Sequence, residues 1–348
     1  MTLASPAVAP SLEVRQLDVA DLDSVRSFVD AWGDRPLHVL VNNAGIFTMG
    51  SSRRETTARD GLESHLATNH LGHFLLTVRL LPCLAEGARS PAAAAAGAAA
   101  AAAAGAAAGA STAAAAAGNG VGDGSGPKRQ AIPFSSRVVS VSSALHAFAD
   151  GGALAADPQL HVRGYSATRA YANSKLAQVM FTAELRRRIG ASGEASEQGG
   201  AAGASAAAEA RRGASSSSSS SHPSAPLPAP PPIVAVAVHP GEVLTDVVRS
   251  LPAPIVRLYR MLMSTLLLTP REGARAAVFA ATAPASSAPS WGDGAADGGG
   301  GGLVLPSAWD PAECYLFPDC RPHPPAPAVL DPVLGRWLWG FSAAKVGL

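Results

Sequence analysis

Residues 233–241 read Ile-Val-Ala-Val-Ala-Val-His-Pro-Gly, an unbroken apolar run that ends in a polar turn. A short apolar run rich in β-branched valine, bounded by a turn, is typical of a strand that is buried on both faces of a sheet. Such strands occur in parallel sheets that are covered by helices. The stretch therefore indicates an α/β protein.

The segments around this stretch alternate between strand-like and helix-like patterns. We predict strands at Leu12–Leu17, Leu37–Val41, Arg137–Val141 and Ile233–Val238, and helices at Asp21–Trp32, Asp60–Leu84, Ala167–Ile189 and Arg271–Ala281. The residue before the first helix turn, Asp21, is predicted to be its N-cap. Strands that alternate with helices need crossover connections, so the pattern predicts a doubly wound parallel sheet.

Two low-complexity segments interrupt this alternation. Residues 90–127 are mostly alanine and then glycine, and residues 190–232 combine Gly/Ala, a serine run and a proline cluster. Neither has patterned apolar residues, so we predict two long disordered inserts. Roughly 270 residues remain, which is a normal size for one α/β domain. We therefore predict a single domain over residues 11–348.

Composition excludes several classes of function. The formal net charge is +1, from 27 basic and 26 acidic residues, so nothing predicts a nucleic-acid partner. No apolar run approaches the roughly 20 residues that span a bilayer. His65, His70 and His73 share one helical stretch without a cysteine or carboxylate cluster, so no metal site is predicted.

Polar residues follow each predicted strand. Asp18 follows the first, Asn42–Gly45 the second, Ser142 and Ser143 the third, and His239–Gly241 the fourth. In parallel sheets, ligands bind beyond the carboxyl ends of the strands. Any one of these turns has a purely local explanation, but together they predict one polar crevice.

Tyr171 and Lys175 carry the candidate chemistry. Residues at i and i+4 share one helix face. A phenol titrates near 10, and a nearby ammonium favours the phenolate, so such a tyrosine can exchange a proton with an alcohol or carbonyl oxygen. The spacing alone also fits a solvated helix face, so the interpretation depends on the polar crevice. Asn69 lies inside a predicted helix, where asparagine is unfavourable, which indicates a local distortion with a functional side chain.

Five motifs occur in the order of the short-chain dehydrogenase/reductase family: NNAG (42–45), NHLGHF (69–74), VVSVSS (138–143), YANSK (171–175) and HPGEVLT (239–245). From Ser11 onward, outside the inserts, the chain resembles the retinol-dehydrogenase-like branch. The resemblance implies a Rossmann-like fold. It also implies an oxidoreductase that transfers a hydride between a nicotinamide cofactor and a lipophilic alcohol or carbonyl compound.

The resemblance also implies roles for individual residues. Tyr171 would protonate the carbonyl oxygen during reduction, and Lys175 would lower the pKa of that tyrosine and hold the nicotinamide ribose. Ser143 would orient the substrate oxygen, and Asn69 would support a proton-relay water. Cofactor contacts are implied for Tyr171, Lys175, Asp18, Asn42, Ala44, Gly45, Pro240, Gly241, Val243 and Thr245. The implied cofactor is NADP, with NAD left open.

The family's TGxxxGxG turn does not precede Ser11. We therefore expect an N-terminally incomplete sheet, and a second hypothesis stays open: a truncated, non-catalytic member that acts as a binding or regulatory module. Ile255–Leu268 is expected to form a lid over a lipophilic pocket. A homodimer, peripheral membrane contact, and a cytoplasmic or plastid location are further expectations from the resemblance.

Overall fold

The fold is taken from a computed structural model that describes residues 12–48, 50–90, 135–162, 164–209, 233–242, 267–283 and 313–348. Its strands are β1 (Val39–Asn42), β2 (Ser136–Val141), β3 (Ile233–Val238) and β4 (Tyr315–Leu316). They form one parallel sheet in the order β1-β2-β3-β4. The predicted Rossmann-like α/β fold is confirmed.

Helices connect and cover these strands. They are α1 (Leu22–Trp32), α2 (Ser64–Leu66), α3 (Gly72–Arg89), α4 (Gly151–Ala156), α5 (Ala167–Glu209), α6 (Pro270–Gly273), α7 (Arg275–Thr282), α8 (Pro327–Leu330) and α9 (Pro332–Val346). A π-helical turn, Ala67–Leu71, joins α2 to α3, and a 3₁₀ turn, Ala144–Phe148, follows β2. The Asp21 carboxylate accepts hydrogen bonds from the N–H groups of Asp23 and Ser24, as its predicted N-cap role requires.

Strand β3 is buried on both faces, as its sequence predicts. Its small side chains, with Ile233, face the larger helical layer of α1, α3, α5 and α9. Its valines face α7, where Ala276 and Ala280 are fully buried. Alternate side chains of a strand point to opposite faces, so one apolar run supplies both halves of the core.

Helix α3 packs directly against backbone. A Cβ atom at Gly72 would lie 1.9 Å from the carbonyl oxygen of Val19, and one at Gly87 would lie 2.0 Å from that of Leu37. Only glycine permits these approaches. They hold α3 against the segment before α1 and against the segment that leads into β1.

Among the described residues, one predicted strand is absent and one predicted helix is longer than expected. The strand predicted at Leu12–Leu17 is wrong: no described strand lies beside this segment, and Leu12 and Val14 are exposed. The segment contacts α1 instead, where an Arg15 Nη atom donates to the Ala31 carbonyl. Helix α5 continues past its predicted end at Ile189 into residues 190–209, which are part of the second predicted insert. Alanine favours helix, and an established helix needs no new nucleus to continue.

Ser90, the first residue of the first predicted insert, is the C-cap of α3, while residues 91–127 and 210–232 lie outside the described residues. Within the described residues, the helical stretch Ser64–Arg89 is long and apolar enough to cross a membrane by length and composition alone. In this fold, 61% of its most apolar window is buried, and it forms a central part of the helical layer.

Candidate active site

Tyr171 and Lys175 lie near the start of α5, beside the end of β2. The ammonium nitrogen of Lys175 is 5.5 Å from the centroid of the Tyr171 ring and donates to the Val141 carbonyl at 2.9 Å. Ser142 anchors the same turn of α5, because its hydroxyl donates to the Lys175 carbonyl at 3.0 Å. The predicted pair therefore shares one helix face at the carboxyl edge of the sheet.

Burial sets the charge state of Lys175. The side chain is buried, and desolvation lowers its pKa to about 7. An ammonium group has three donors, and Val141 accepts one of them. Lys175 can therefore both change its charge near neutral pH and donate hydrogen bonds to a ligand.

Tyr171 is held between an aromatic ring and a hydroxyl. Its ring stacks on Phe47, with centroids 4.4 Å apart. Burial raises the pKa of the phenol, a hydrogen bond with Ser143 lowers it, and Glu242 raises it further. The net direction is upward, which differs from the lowering by Lys175 that we predicted, because burial outweighs the hydrogen bond with Ser143. The phenol therefore stays protonated at neutral pH.

Ser143 ends the turn after β2 and caps the 3₁₀ turn. Its carbonyl oxygen lies 2.9 Å from Nδ1 of His146, whose Nε2 accepts the Ala326 N–H at 3.2 Å. Because Nε2 accepts, Nδ1 carries the hydrogen and donates to Ser143. His146 thus anchors the Ser143 backbone to the segment before α8.

Asn69 lies within the π-helical turn and is fully buried. Its amide nitrogen donates to the Ile46 carbonyl at 3.1 Å and to the Ser174 hydroxyl at 2.9 Å, and its oxygen accepts the Ile46 N–H at 2.8 Å. A Cβ atom at Gly45 would lie 3.1 Å from Asn69 Oδ1 and 3.6 Å from Lys175 Nζ. The NNAG turn, Asn69 and Lys175 therefore meet. The predicted distortion of the helix is the π-helical turn itself, which recurs at functional sites.

Of the other predicted cofactor residues, Asn42 and Ala44 lie at the carboxyl end of β1, whereas Asp18 has no described contact with the site. Asn42 donates to the Thr77 hydroxyl at 2.9 Å, while its oxygen is buried without a hydrogen-bond partner among the described residues. Ala44 is exposed beside Gly45. Asp18 is exposed, and its carboxylate accepts the Ala20 N–H within its own turn.

The turn after β3 places Pro240 and Gly241 at this edge. Gly241 has a φ of +82°, and a Cβ atom there would lie 2.5 Å from a methyl carbon of Leu268. Glycine is therefore required both by conformation and by space. Val243, Thr245 and the predicted lid up to residue 266 lie outside the described residues.

The structure also contains a buried cluster that the motifs did not indicate. His65 Nδ1 and the Tyr165 hydroxyl each lie 2.9 Å from the same oxygen of Glu63, and the backbone N–H of Thr48 donates to His65 Nε2 at 3.2 Å. The sequence offered one signal, a carboxylate close to a histidine in an apolar stretch. Tyr165 comes 100 residues later than His65, so only the fold brings it there.

Comparison with known proteins agrees with this arrangement. The family model described as short chain dehydrogenase matches residues 4–118. The Arabidopsis thaliana dehydrogenase/reductase SDR family member FEY is 26% identical over 97% of this chain and 64% of its own length. Human retinol dehydrogenase 12 is 27% identical over 96% of this chain and 70% of its own. Human polyprenol dehydrogenase is 32% identical over 78% of this chain and 57% of its own.

Among solved structures, a Mycobacterium paratuberculosis protein of uncharacterized function superposes with a TM-score of 0.51. The two proteins are 24% identical in sequence, and the match covers 98% of this chain and 78% of the Mycobacterium chain, so the likeness supports the fold alone. A parallel sheet whose carboxyl edge carries Ser143, Tyr171 and Lys175 defines a dehydrogenase-like α/β protein. With the matches above, the chain is similar to proteins of the short-chain dehydrogenase/reductase family, its retinol dehydrogenases among them.

Proposed function

We propose that the chain is an NADP(H)-dependent oxidoreductase acting on a lipophilic alcohol or carbonyl compound. The observation that carries the proposal is the convergence of Asn69, Ser143, Tyr171 and Lys175 at the carboxyl edge of β2. These residues come from three separate parts of the sequence. A hydroxyl, a phenol and an ammonium at one point form a set that can bind a carbonyl oxygen and give it a proton.

The residues present fit a nicotinamide cofactor. Lys175 has donors beyond the one that Val141 accepts, and Asn42 presents a buried oxygen without a partner among the described residues. Gly45 lets the side chains of Asn69 and Lys175 approach the NNAG backbone closely, which places Lys175 beside this exposed turn. We propose that Asn42, Ala44, Gly45, Tyr171 and Lys175 hold the cofactor, which supplies or accepts the hydride when bound. The preference for NADP over NAD rests on the resemblance to the retinol dehydrogenases.

In the reductive direction, we propose that Ser143 and Tyr171 both hydrogen-bond the substrate oxygen and that Tyr171 donates the proton. The raised pKa of Tyr171 suits this role, since the phenol enters the reaction protonated at neutral pH. Lys175, whose pKa is about 7, can then return a proton towards the phenolate. Asn69 fixes the NNAG turn against α5 and so keeps these groups in register.

The lipophilic substrate class is inferred from the relatives, whose names include retinol dehydrogenase and polyprenol dehydrogenase. In this chain, Phe47 supplies an apolar wall against the Tyr171 ring. An isoprenoid aldehyde combines one polar oxygen for Ser143 and Tyr171 with an apolar body. We therefore propose isoprenoid aldehydes and the matching alcohols as the first substrates to try.

The test is turnover by the purified chain. NADPH, and separately NADH, would be mixed with a long isoprenoid aldehyde or with a short aliphatic aldehyde, and alcohol formation would be followed by chromatography. Faster reduction of the isoprenoid aldehyde with NADPH is the expected result. NADPH binding without turnover of either aldehyde would favour the binding-module hypothesis. Turnover of only the short aldehyde would reject the lipophilic substrate class.

A further inference from the structure

The cluster of Glu63, His65 and Tyr165 lies next to the proposed active site. The exposed fractions are 1% for Glu63 and 0% for His65, and the His65 and Tyr171 ring centroids are 6.5 Å apart. A buried carboxylate and imidazole are costly unless their hydrogen bonds are complete. Here each has its partners, so the cluster has one defined arrangement.

The hydrogen bonds determine which nitrogen of His65 carries the hydrogen. Nε2 accepts the Thr48 N–H, so Nε2 must present a lone pair. Nδ1 therefore carries the hydrogen and donates to Glu63 Oε1 at 2.9 Å. Burial disfavours the charged form of Glu63, but hydrogen bonds from His65 and from the Leu66 N–H hold the pKa of this carboxyl below its usual value. An ionised Glu63 thus orients the imidazole.

The imidazole in turn holds the loop that supports Tyr171. Thr48 is bonded to His65, and Ile46 is bonded on both sides of its backbone to Asn69. Phe47 lies between these two anchors, and its ring stacks on Tyr171. The loop 46–48 is therefore fixed at both ends, with the stacked ring in the middle.

We propose that His65, oriented by Glu63, is a positioning residue for Tyr171: it holds Thr48 so that Phe47 keeps the phenol in place. The inference concerns the site of the proposed function, but it makes a claim about structure that can be tested without turnover. The competing reading is that the cluster only stabilises the core. If His65 positions Tyr171, loss of the contact between Nε2 and Thr48 should disturb Tyr171. If the cluster only stabilises the core, loss of that contact should lower stability without disturbing Tyr171.

Two substitutions each remove the contact made by one of the two ring nitrogens of His65. In His65→Gln the side-chain amide reaches the position of Nε2 and can accept the Thr48 N–H, but the donor to Glu63 is lost. In His65→Asn the shorter amide lies near the position of Nδ1 and can reach Glu63, but not Thr48. The chain has four tyrosines, so ¹³Cζ-tyrosine NMR gives a spectrum simple enough for Tyr171 to be assigned with a Tyr171→Phe sample.

We expect His65→Asn to shift or broaden the Tyr171 resonance and His65→Gln to leave it near its wild-type position. In turnover, kcat of His65→Asn should fall about 10- to 100-fold, since a small misplacement of a reacting group has costs of this order. The KM for the aldehyde should change less than kcat. The matched control is Tyr165→Phe, which removes a hydrogen bond from the same Glu63 oxygen and leaves the contact between His65 and Thr48 intact.

Tyr165→Phe should lower the denaturation midpoint without moving the Tyr171 resonance. An unmoved Tyr171 resonance in both His65 variants would overturn the proposal. If His65→Asn does not fold, imidazole ¹⁵N NMR of the wild-type chain still decides, because the proposal requires the hydrogen of His65 on Nδ1 and fails if it is on Nε2. Absence of wild-type turnover would reject the proposed function, but would leave these NMR outcomes as the test of positioning.

Discussion

Replacing Lys175 by methionine should stabilise the folded chain while removing its activity. Lys175 is buried, and its pKa falls from 10.5 to about 7 because burial disfavours the charged ammonium. Methionine is unbranched and apolar, so it fills a similar volume without a charge. The substitution therefore removes the cost of burying an ammonium group and, with it, the proton that we propose passes to Tyr171.

The pKa difference sets the magnitude. It corresponds to about 5 kcal/mol at 1.36 kcal/mol per pH unit. Loss of the hydrogen bond from Lys175 to Val141 opposes this by about 1.5–3 kcal/mol. Lys175→Met should therefore raise the free energy of unfolding at about pH 6 by about 2–3 kcal/mol.

The sign of the pH dependence follows from the two pKa values. Between pH 7 and 10.5 the unfolded chain binds more protons at Lys175 than the folded chain does, so the stability of the wild type rises with pH over this window. The advantage of Lys175→Met is complete below the folded pKa. It should disappear near about pH 9, because the wild type gains about 1.36 kcal/mol per pH unit above a pKa of about 7, and it should reverse above that pH.

Urea denaturation of the wild type and Lys175→Met at pH values below, within and above this window measures the difference directly. The control is Lys345→Met, since Lys345 is exposed in α9 and its replacement should have no comparable effect. A stability difference between Lys175→Met and the wild type that does not change with pH would refute the reasoning. So would a Lys175→Met chain that is less stable than the wild type below the folded pKa.

Three further predictions concern the core. Gly72→Ala should lower the free energy of unfolding by about 3 kcal/mol or more, since its Cβ would lie 1.9 Å from the Val19 carbonyl; Gly340→Ala, with open space around it, is the control, and equal effects would contradict the close approach. Tyr315→Phe should leave thermal stability unchanged or raise it, because the buried hydroxyl has no partner among the described residues, and a clear loss would mean that it has one. Burial lowers the pKa of His70 to about 3 and that of His73 to about 4, so below pH 6.5 the unfolded chain binds more protons than the folded chain does. The free energy of unfolding, measured by urea denaturation at a series of pH values, should therefore fall as the pH falls below 6.5. It should fall less steeply in His70→Gln, and an equal slope in both chains would contradict the burial of His70.

Local patterns predicted those parts of the fold that local chemistry decides. Strand β3 matches its predicted bounds because six apolar residues between turns have only one favourable environment. Helix α1 begins after Asp21 because an N-cap depends on a few neighbouring residues. The strand predicted at Leu12–Leu17 failed because a strand also needs a partner, which its own sequence does not specify.

The sequence predicted which residues form the candidate site, but not the direction in which their pKa values shift. Motif order placed Asn69, Ser143, Tyr171 and Lys175 together, and the structure brings them to one edge of the sheet. The direction of the Tyr171 pKa could not be predicted, since it depends on burial by distant segments. The contact of Tyr165 with Glu63 is equally long-range, so no local pattern pointed to the cluster beside the active site.

The proton-donating role of Tyr171 is tested most directly by the rate of aldehyde reduction in Tyr171→Phe. The phenylalanine ring keeps the stacking on Phe47, so the variant should fold, and Asn42, Gly45 and Lys175 should still bind NADPH, with an affinity reduced only by the loss of the Tyr171 hydroxyl. We predict that kcat falls at least about 100-fold, the order expected when a general acid is removed. A folded, NADPH-binding Tyr171→Phe chain that reduces the aldehyde at the wild-type rate would contradict the account.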